Sequence, residues 1–433
     1  MVWCVVLRRK SSRSWFELAA AERICFVDPS LHVQIGKGNQ DMSTSRWMAD
    51  ASASMAHVFA YLTQSTWAQR RGEPGLCDFV VGNPHEMPLT GYSAALGHWS
   101  QPQDKDWYAY KMSESRSREV VAATLREQHG LPFEEEDIQM TNGAFAALAV
   151  CLRAVVNPDD DVIFISPPWF FYEGLILSIG ANPVRVRCDP VSYDLNVGAI
   201  ANAVTNRTRA IIINSPNNPT GKIYPPVTLK QLADALTEAS ARNEHPVYLL
   251  SDESYWRIRY DDRPCSSPTG YYPHSFLIYT YGKTLLTPGQ RIGYIALPPT
   301  MPNREEMRTG LIVSQLMTGY AFPNALLQHA LPDLEDLSID VGHLQRKRDR
   351  MVSALTEIGY TLHSPEGTFY LLPQAPIADD VAFMEILAEH NVCCLPGSVV
   401  EMPGYFRISL TANDDMIERS LPGFAAAYAA TQQ

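Results

Sequence analysis

Residues 210–221 read Ala-Ile-Ile-Ile-Asn-Ser-Pro-Asn-Asn-Pro-Thr-Gly, an apolar run that passes directly into a polar segment. A short apolar run bounded by turn residues is typical of a buried strand. Similar runs occur at residues 161–165, 183–187, 247–250, 276–279 and 291–296. Helical patterns separate them, as in residues 228–242, where leucines and alanines share one face. This alternation predicts an α/β fold whose large domain contains a mostly parallel, seven-stranded type of sheet flanked by helices.

Composition restricts the class of protein. The chain has 433 residues, of which 46% are hydrophobic and 19% charged, so a disordered or collagen-like chain is excluded. The formal net charge of −12 disfavours nucleic acids and anionic membranes as partners, and the apolar runs are too short to cross a bilayer. Eight scattered cysteines without C-x-x-C spacing predict no metal site and suit a reducing compartment. We therefore expect a soluble cytoplasmic enzyme.

The length predicts more than one domain, since about 150 residues is common for one domain. Met42 precedes a helical stretch at 48–62, so the segment before it is expected to be an extension. An organelle transit peptide suits this segment poorly because it contains Glu17, Glu22 and Asp28. The expected division is an extension at 1–41, a first part of a small α+β domain at 42–100, a large cofactor domain at 101–310 and the remaining small domain at 311–433.

Polar or aromatic residues follow four of the predicted strands. In open α/β sheets, ligands bind beyond the carboxyl ends of the strands. We therefore expect one crevice to collect the four segments, which are residues 167–170, 214–221, 251–255 and 280–284.

Lys283 follows one of these strands, and two residues close to it in the sequence could bind a phosphate. A single lysine is usually a solvated surface charge. Thr280 lies three residues before it and Arg291 eight residues after it, so a hydroxyl and a guanidinium are available for a phosphate beside the amine. The combination indicates Schiff-base chemistry with a phosphorylated aldehyde cofactor.

Asp252 ends an apolar strand, where an unpaired carboxylate is costly. A protonated pyridine nitrogen would satisfy it, and a salt bridge to Arg257 or Arg259 is the alternative. Tyr255 and Asn218 offer a hydroxyl and an amide to a phenolate oxygen, although the segment containing Asn218 is also typical of a simple turn.

Two further segments suit a phosphorylated aromatic ligand. Residues 141–148 place a glycine and small residues at the start of an apolar helix, which suits an anion site but is also typical of an ordinary helix start. Residues 169–172 are Trp-Phe-Phe-Tyr, in which Trp169 is positioned to stack on a flat ring. Core packing is the alternative for at least two of these aromatic residues.

These motifs together resemble the class I/II aminotransferases, the fold type I pyridoxal-phosphate enzymes of the aspartate aminotransferase superfamily. The resemblance covers roughly residues 75–425. It is carried by four motifs that occur in the family's order: residues 217–221, residues 252–255, Lys283 with 291–293, and residues 406–410.

The resemblance implies a role for each matching residue. Lys283 would bond to pyridoxal phosphate and move the proton between the substrate Cα and cofactor C4′. Asp252 would pair with the ring nitrogen, Tyr255 and Asn218 would bind the ring oxygen, and Trp169 would stack on the ring. The phosphate would be bound by Ala144, Phe145, Thr280 and Arg291, and the substrate α-carboxylate by Arg407.

Two weaker matches to the family concern the assembly and the substrate. Tyr108 matches a tyrosine that reaches the phosphate of the neighbouring subunit, so a homodimer is implied. Gly82 lies in a segment that resembles the one approaching the substrate from the small domain. The loop at 111–115 lacks the family's glycine and proline, which puts the contact between subunits in doubt, and Thr280 replaces the commoner serine.

The implied reaction is transamination between an L-amino acid and a 2-oxo acid. A lyase, decarboxylase or oxidase with the same cofactor is the alternative, because these residues do not determine which bond is broken. We do not expect a non-catalytic domain, because such a domain would have no chemical need for Lys283, Asp252, Tyr255 and Arg407. The aromatic run at 169–172 hints at an apolar or aromatic substrate side chain, and the substrate otherwise stays open.

Overall fold

The structure is a computed structural model and describes residues 44–432, so the predicted extension at 1–41 lies outside the described residues. The α-helices are α1 (Arg46–Ser54), α2 (Ala56–Gln64), α3 (Thr66–Arg70), α4 (Thr90–Trp99), α5 (Ser115–His129), α6 (Gly143–Val155), α7 (Tyr172–Ser178), α8 (Val197–Ala203), α9 (Pro226–Asn243), α10 (Tyr281–Thr284), α11 (Arg304–Met317), α12 (Ala325–Leu334), α13 (Val341–Ile358), α14 (Asp380–Glu389) and α15 (Asp414–Ala430). The strands are β1 (Cys77–Asp78), β2 (Ile138–Thr141), β3 (Asp161–Ser166), β4 (Asn182–Arg187), β5 (Thr208–Asn214), β6 (Tyr248–Asp252), β7 (Ser275–Thr280), β8 (Gly293–Ala296), β9 (Tyr370–Leu371), β10 (Val392–Cys393), β11 (Leu395–Pro396) and β12 (Phe406–Ser409).

A seven-stranded sheet in the order β2-β8-β7-β6-β5-β3-β4 forms the large part of the fold. Strands β3 to β7 pair in parallel, whereas β8 is antiparallel to both β7 and β2. The predicted α/β fold is confirmed, and all six predicted strands are present. The seventh strand, β2, was missed because its four residues include Gln139 and Thr141, which interrupt the apolar pattern.

Helices cover both faces of this sheet because alternate strand residues point to opposite sides. On one face, Ile212 joins the apolar cluster of α6, which includes Leu148. On the other face, Ile211 joins the cluster of α9, which includes Leu232. Burial on both faces explains why the parallel strands are continuous apolar runs.

A smaller α+β part combines both ends of the described chain. Strands β11, β12 and β9 form an antiparallel sheet in that order. Cys77 of β1 pairs with Val392 of β10, which ties the N-terminal segment to the C-terminal one. The predicted limit at 310/311 falls inside α11, where Ser314 donates a hydrogen bond of 2.7 Å to the Val150 carbonyl of the large part. The domain limits themselves stay a prediction.

None of the helices between residues 44 and 432 is long and apolar enough to cross a membrane. The six cysteines within the same range are free thiols.

Candidate active site

A cleft of about 490 Å³ lies at the carboxyl ends of the parallel strands, between the two sheets. Each of the four segments predicted to share a crevice contributes lining residues. The predicted site residues that line it are Gly82, Ala144, Phe145, Trp169, Asn218, Asp252, Tyr255, Thr280, Lys283, Arg291 and Arg407. The sheet topology brings them together because β5, β6 and β7 are adjacent and end at one edge.

Lys283 is presented by the short helix α10, which begins directly after β7. Its side chain is half-buried, and its Nζ lies 5.7 Å from the ring centre of Tyr255 and 5.9 Å from that of Phe369. Two aromatic rings therefore lie close to an amine that lines the cleft.

Asp252 is a buried carboxylate at the end of β6. Its Oδ2 accepts a hydrogen bond of 2.7 Å from the Tyr172 hydroxyl, and its Oδ1 accepts one of 2.6 Å from the Ser254 hydroxyl. Burial raises the pKa of Asp252, while these hydrogen bonds and nearby Lys283 act in the opposite direction. Arg257, a partner considered from the sequence, pairs with Glu335 instead. A cationic ring nitrogen in the cleft would suit this carboxylate.

The role of Tyr172 was missed from the sequence. It begins α7, is fully buried, and directs its hydroxyl to Asp252. Burial and the adjacent carboxylate raise its pKa well above the usual value, so the phenol remains a donor. A signal was available, because a tyrosine within an aromatic cluster needs a polar partner for its hydroxyl.

Arg407 lies on β12 with 3% of its surface exposed. Its Nη1 donates to Asn218 Oδ1 at 3.0 Å and its Nη2 donates to the Val80 carbonyl at 3.0 Å. The buried Nε has no hydrogen-bond partner within residues 44–432. A buried guanidinium without a carboxylate partner is costly, so this group is suited to a ligand carboxylate.

Tyr370 was also missed, because its run Thr-Phe-Tyr-Leu-Leu is typical of a buried strand. The ring centre of Tyr370 lies 4.1 Å from the Arg407 guanidinium and 6.0 Å from the ring centre of Tyr255. Burial opposes ionisation of Tyr370, but Arg407, Lys283 and the neighbouring Tyr255 hydroxyl together lower its pKa. Burial raises the pKa of Tyr255. Tyr370 thus connects the groups predicted to bind cofactor and substrate.

The start of α6 forms an anion cradle. Gly143 has a φ of +81°, and a Cβ there would lie 2.7 Å from Arg291 Nη2 and 3.2 Å from Thr280 Oγ1. The N–H groups of the first helical turn, including those of Ala144 and Phe145, have no acceptor within the helix. Helix dipole, hydroxyl and guanidinium therefore converge where a phosphate group fits.

The remaining predicted residues lie at the sides of the cleft or outside it. Trp169 is half-buried and packs edge-on against Phe145, with 4.8 Å between ring centres. A Cβ at Gly82 would come within 2.7 Å of the Tyr370 hydroxyl, so the close approach of this hydroxyl requires glycine at position 82. Tyr108 is 55% exposed, donates to the Ser100 carbonyl at 2.6 Å, and does not line the cleft of its own chain.

Comparison with known families agrees with this geometry. Residues 111–422 match the family model described as aminotransferase class I and II. This chain belongs to that family. It is a pyridoxal-phosphate-dependent aminotransferase, and the donor set of the cleft fits that cofactor, because it combines the start of α6 with Thr280 and Arg291, the Lys283 amine and the buried Asp252 carboxylate.

Similar proteins share much of the length of this aminotransferase. It is 30% identical over 336 residues to the aspartate/prephenate aminotransferase of Thermus thermophilus, covering 75% of this chain and 83% of that one. A solved amino transferase from Eubacterium rectale has a TM-score of 0.83 and 28% identity, covering 91% of this chain and 100% of that one. The Thermus thermophilus aspartate aminotransferase solved with maleate has a TM-score of 0.72 and 26% identity, covering 89% and 100%.

Proposed function

We propose that this aminotransferase moves the amino group of an L-amino acid to a 2-oxo acid within the described cleft, with Lys283 transferring the proton. The observation that carries this proposal is the placement of Lys283, Asp252 and Arg407 in one cleft, where the buried Arg407 has no carboxylate partner within residues 44–432.

We assign cofactor binding to two groups of residues that line the cleft, one for the ring and one for the phosphate. When bound, pyridoxal phosphate supplies an electron-withdrawing ring that stabilises negative charge at the substrate Cα. Asp252 would pair with the ring nitrogen, Tyr255 and Asn218 would bind the ring oxygen, and Trp169 would cover a ring face. The phosphate would be held by the first N–H groups of α6, at Ala144 and Phe145, with Thr280 and Arg291.

Substrate binding and proton transfer are assigned to Arg407 and Lys283. Arg407 would hold the α-carboxylate through two parallel hydrogen bonds, the geometry for which a guanidinium is suited. The Lys283 Nζ would then take the proton from the substrate Cα. Gly82, beside Tyr370, would leave room for the carboxylate.

We further propose that the active form is a cytoplasmic homodimer in which Tyr108 reaches the phosphate of the neighbouring subunit. The exposed position of Tyr108 outside its own cleft supports this arrangement. Exposed aromatic residues lie nearby, with 4.8 Å between the ring centres of Tyr110 and Phe322. Sedimentation at equilibrium tests the assembly, and a monomer that retains full activity would contradict it.

The reaction is tested by titrating the cofactor-loaded protein with single amino acids. We expect the visible absorption to change with stoichiometric formation of 2-oxo acid, and Lys283→Ala to abolish both. Lys230→Ala is the matched control, because Lys230 is exposed on α9 and pairs with Asp234. Release of carbon dioxide, ammonia or peroxide without stoichiometric 2-oxo acid would contradict transamination and support the alternative chemistry.

A further inference from the structure

One wall of the cleft is apolar and distinct from the polar floor. It is formed by Val58 and Leu62 of α2, Phe170 after β3, Leu395 of β11 and Val399. Four of these side chains are at most 4% exposed, and Phe170 packs against them. They belong to one apolar cluster that joins the N-terminal helices to the small sheet, so the wall is a packed surface.

The charged side chains that this chain contributes to the described lining of the cleft are all assigned to the cofactor or to the α-carboxylate. Four described lining residues carry charge, namely Asp252, Lys283, Arg291 and Arg407. Arg291 lies at the phosphate cradle and Arg407 is assigned to the α-carboxylate. Within the described lining, therefore, no further cation remains to pair with a second carboxylate on a substrate side chain.

The apolar wall discriminates between side chains through solvation. An unpaired carboxylate placed against it would lose water without gaining a partner, which is costly. An apolar side chain gains from the same surface, and one methylene group in such a pocket is worth about 10–200-fold in specificity.

We propose that this wall is the side-chain subsite and that it selects amino acids with uncharged apolar side chains, such as leucine, methionine and phenylalanine, over aspartate and glutamate. The inference rests on the proposed function, because it takes Arg407 as the group that binds the α-carboxylate. The proposed side-chain preference would distinguish this chain from its Thermus thermophilus relative, whose name refers to aspartate.

The test compares donors one at a time. The cofactor-loaded protein is mixed with leucine, methionine, phenylalanine, alanine, aspartate or glutamate, and both the visible absorption change and the 2-oxo acid are followed. We expect kcat/KM for the three bulky apolar donors to exceed those for aspartate and glutamate by at least about tenfold.

A variant pair locates the subsite. Phe170→Ala removes a half-buried ring from the wall and should lower the phenylalanine-to-alanine ratio of kcat/KM by about tenfold. Phe171→Ala is the matched control, because Phe171 belongs to the same cluster, 4.6 Å from Phe170 between ring centres, but does not line the cleft. A general loss of active protein lowers kcat/KM for phenylalanine and alanine equally, so their ratio does not change.

The outcomes separate this inference from the proposed function. If aspartate or glutamate reacts as fast as the apolar donors, or if Phe171→Ala changes the ratio as much as Phe170→Ala, the apolar subsite is wrong while transamination stands. If the cofactor binds but no donor yields a 2-oxo acid, the proposed function itself is wrong.

Discussion

Tyr370 lies next to two of the groups assigned to ligand binding, Tyr255 and Arg407. Its hydroxyl lies near that of Tyr255, and its ring lies against the Arg407 guanidinium. If Tyr255 donates its one proton to the cofactor ring oxygen, its own oxygen is free to accept a hydrogen bond from the neighbouring Tyr370 hydroxyl. Such a chain strengthens each hydrogen bond in it.

We therefore expect Tyr370→Phe to weaken the bond from Tyr255 to the ring oxygen. The pH at which the visible absorption of the bound cofactor changes should rise by about half a unit to one unit, since one hydrogen bond contributes about 1 kcal/mol. A spectrophotometric pH titration measures this shift. Tyr360→Phe is the control, because its buried hydroxyl donates to the Phe424 carbonyl instead. A lower melting temperature with an unchanged titration would contradict the prediction.

Glu253, next to Asp252, is a buried carboxyl group that accepts a hydrogen bond of 2.6 Å from the Ser267 hydroxyl. Burial raises its pKa to about 8. Between about pH 5 and pH 8, the unfolded chain has lost this proton while the folded protein retains it. The contribution of Glu253 to the free energy of unfolding therefore falls as pH rises through that window, by at most about 1.4 kcal/mol per pH unit.

Glu253→Gln should remove this slope, because glutamine accepts the same hydrogen bond but does not ionise. We expect the variant to gain stability relative to the parent as pH rises from 5 to 8, measured by urea unfolding at each pH. Glu119→Gln, at an exposed position on α5, serves as the control. A constant difference across this range would show that Glu253 is ionised in the folded protein.

At the scale of elements, helix α6 and the loop around Arg291 approach each other closely enough that position 143 has no room for a Cβ. This approach places the helix N-terminus beside the hydroxyl of Thr280 and the guanidinium of Arg291. The anion site thus depends on how two elements pack, and not on one side chain.

Gly143→Ala should weaken binding of pyridoxal phosphate by about tenfold or more, because the added methyl group displaces Arg291. Fluorescence titration of the cofactor-free protein measures the dissociation constant. Gly130→Ala is a matched control, since Gly130 also has a positive φ, of +66°, but has open space around it. Equal loss of affinity in both variants would indicate a general effect of backbone strain.

The sequence predicted these elements through local patterns. The parallel strands are apolar runs because both of their faces are buried, so they were identifiable without coordinates. The stretch at 48–62 was predicted as one helical segment, but it divides at Met55 into α1 and α2. Strand β2 was missed because its polar residues find partners elsewhere; Gln139 donates to the Leu311 carbonyl at 3.1 Å.

At the scale of the whole molecule, a buried ion pair connects the region after α12 to the catalytic edge of the sheet. The Arg257 guanidinium pairs with the Glu335 carboxylate and donates to the Glu335 carbonyl at 2.6 Å. The Tyr281 hydroxyl, two residues before Lys283, donates to the same carboxylate. The pair therefore stabilises the helix that presents Lys283.

Glu335→Ala should lower the free energy of unfolding by about 3–5 kcal/mol, because it leaves the Arg257 charge buried without its partner. Glu418→Ala is the control, since its ion pair with Arg350 is exposed and screened by solvent, so its loss should change the stability much less. Urea unfolding at a fixed protein concentration measures both. Similar losses in the two variants would contradict the distinction between buried and exposed pairs.

The sequence by itself determined the fold class, six of the seven strands of the central sheet and the candidate residues Lys283 and Asp252. These follow from local information, because strand periodicity reports burial and a charged residue at a strand end requires a partner. Family resemblance identified Arg407 as a candidate and supplied the expected roles of all three residues.

Only the tertiary structure decided which groups meet. Arg407 contacts Asn218 across 189 positions of the chain, and Tyr172 reaches Asp252 across 80. The apolar wall joins Val58 to Val399 by way of the small sheet. Such contacts depend on how separate elements pack in space, which no local pattern in the sequence encodes, and they decide the shape and charge of the substrate site.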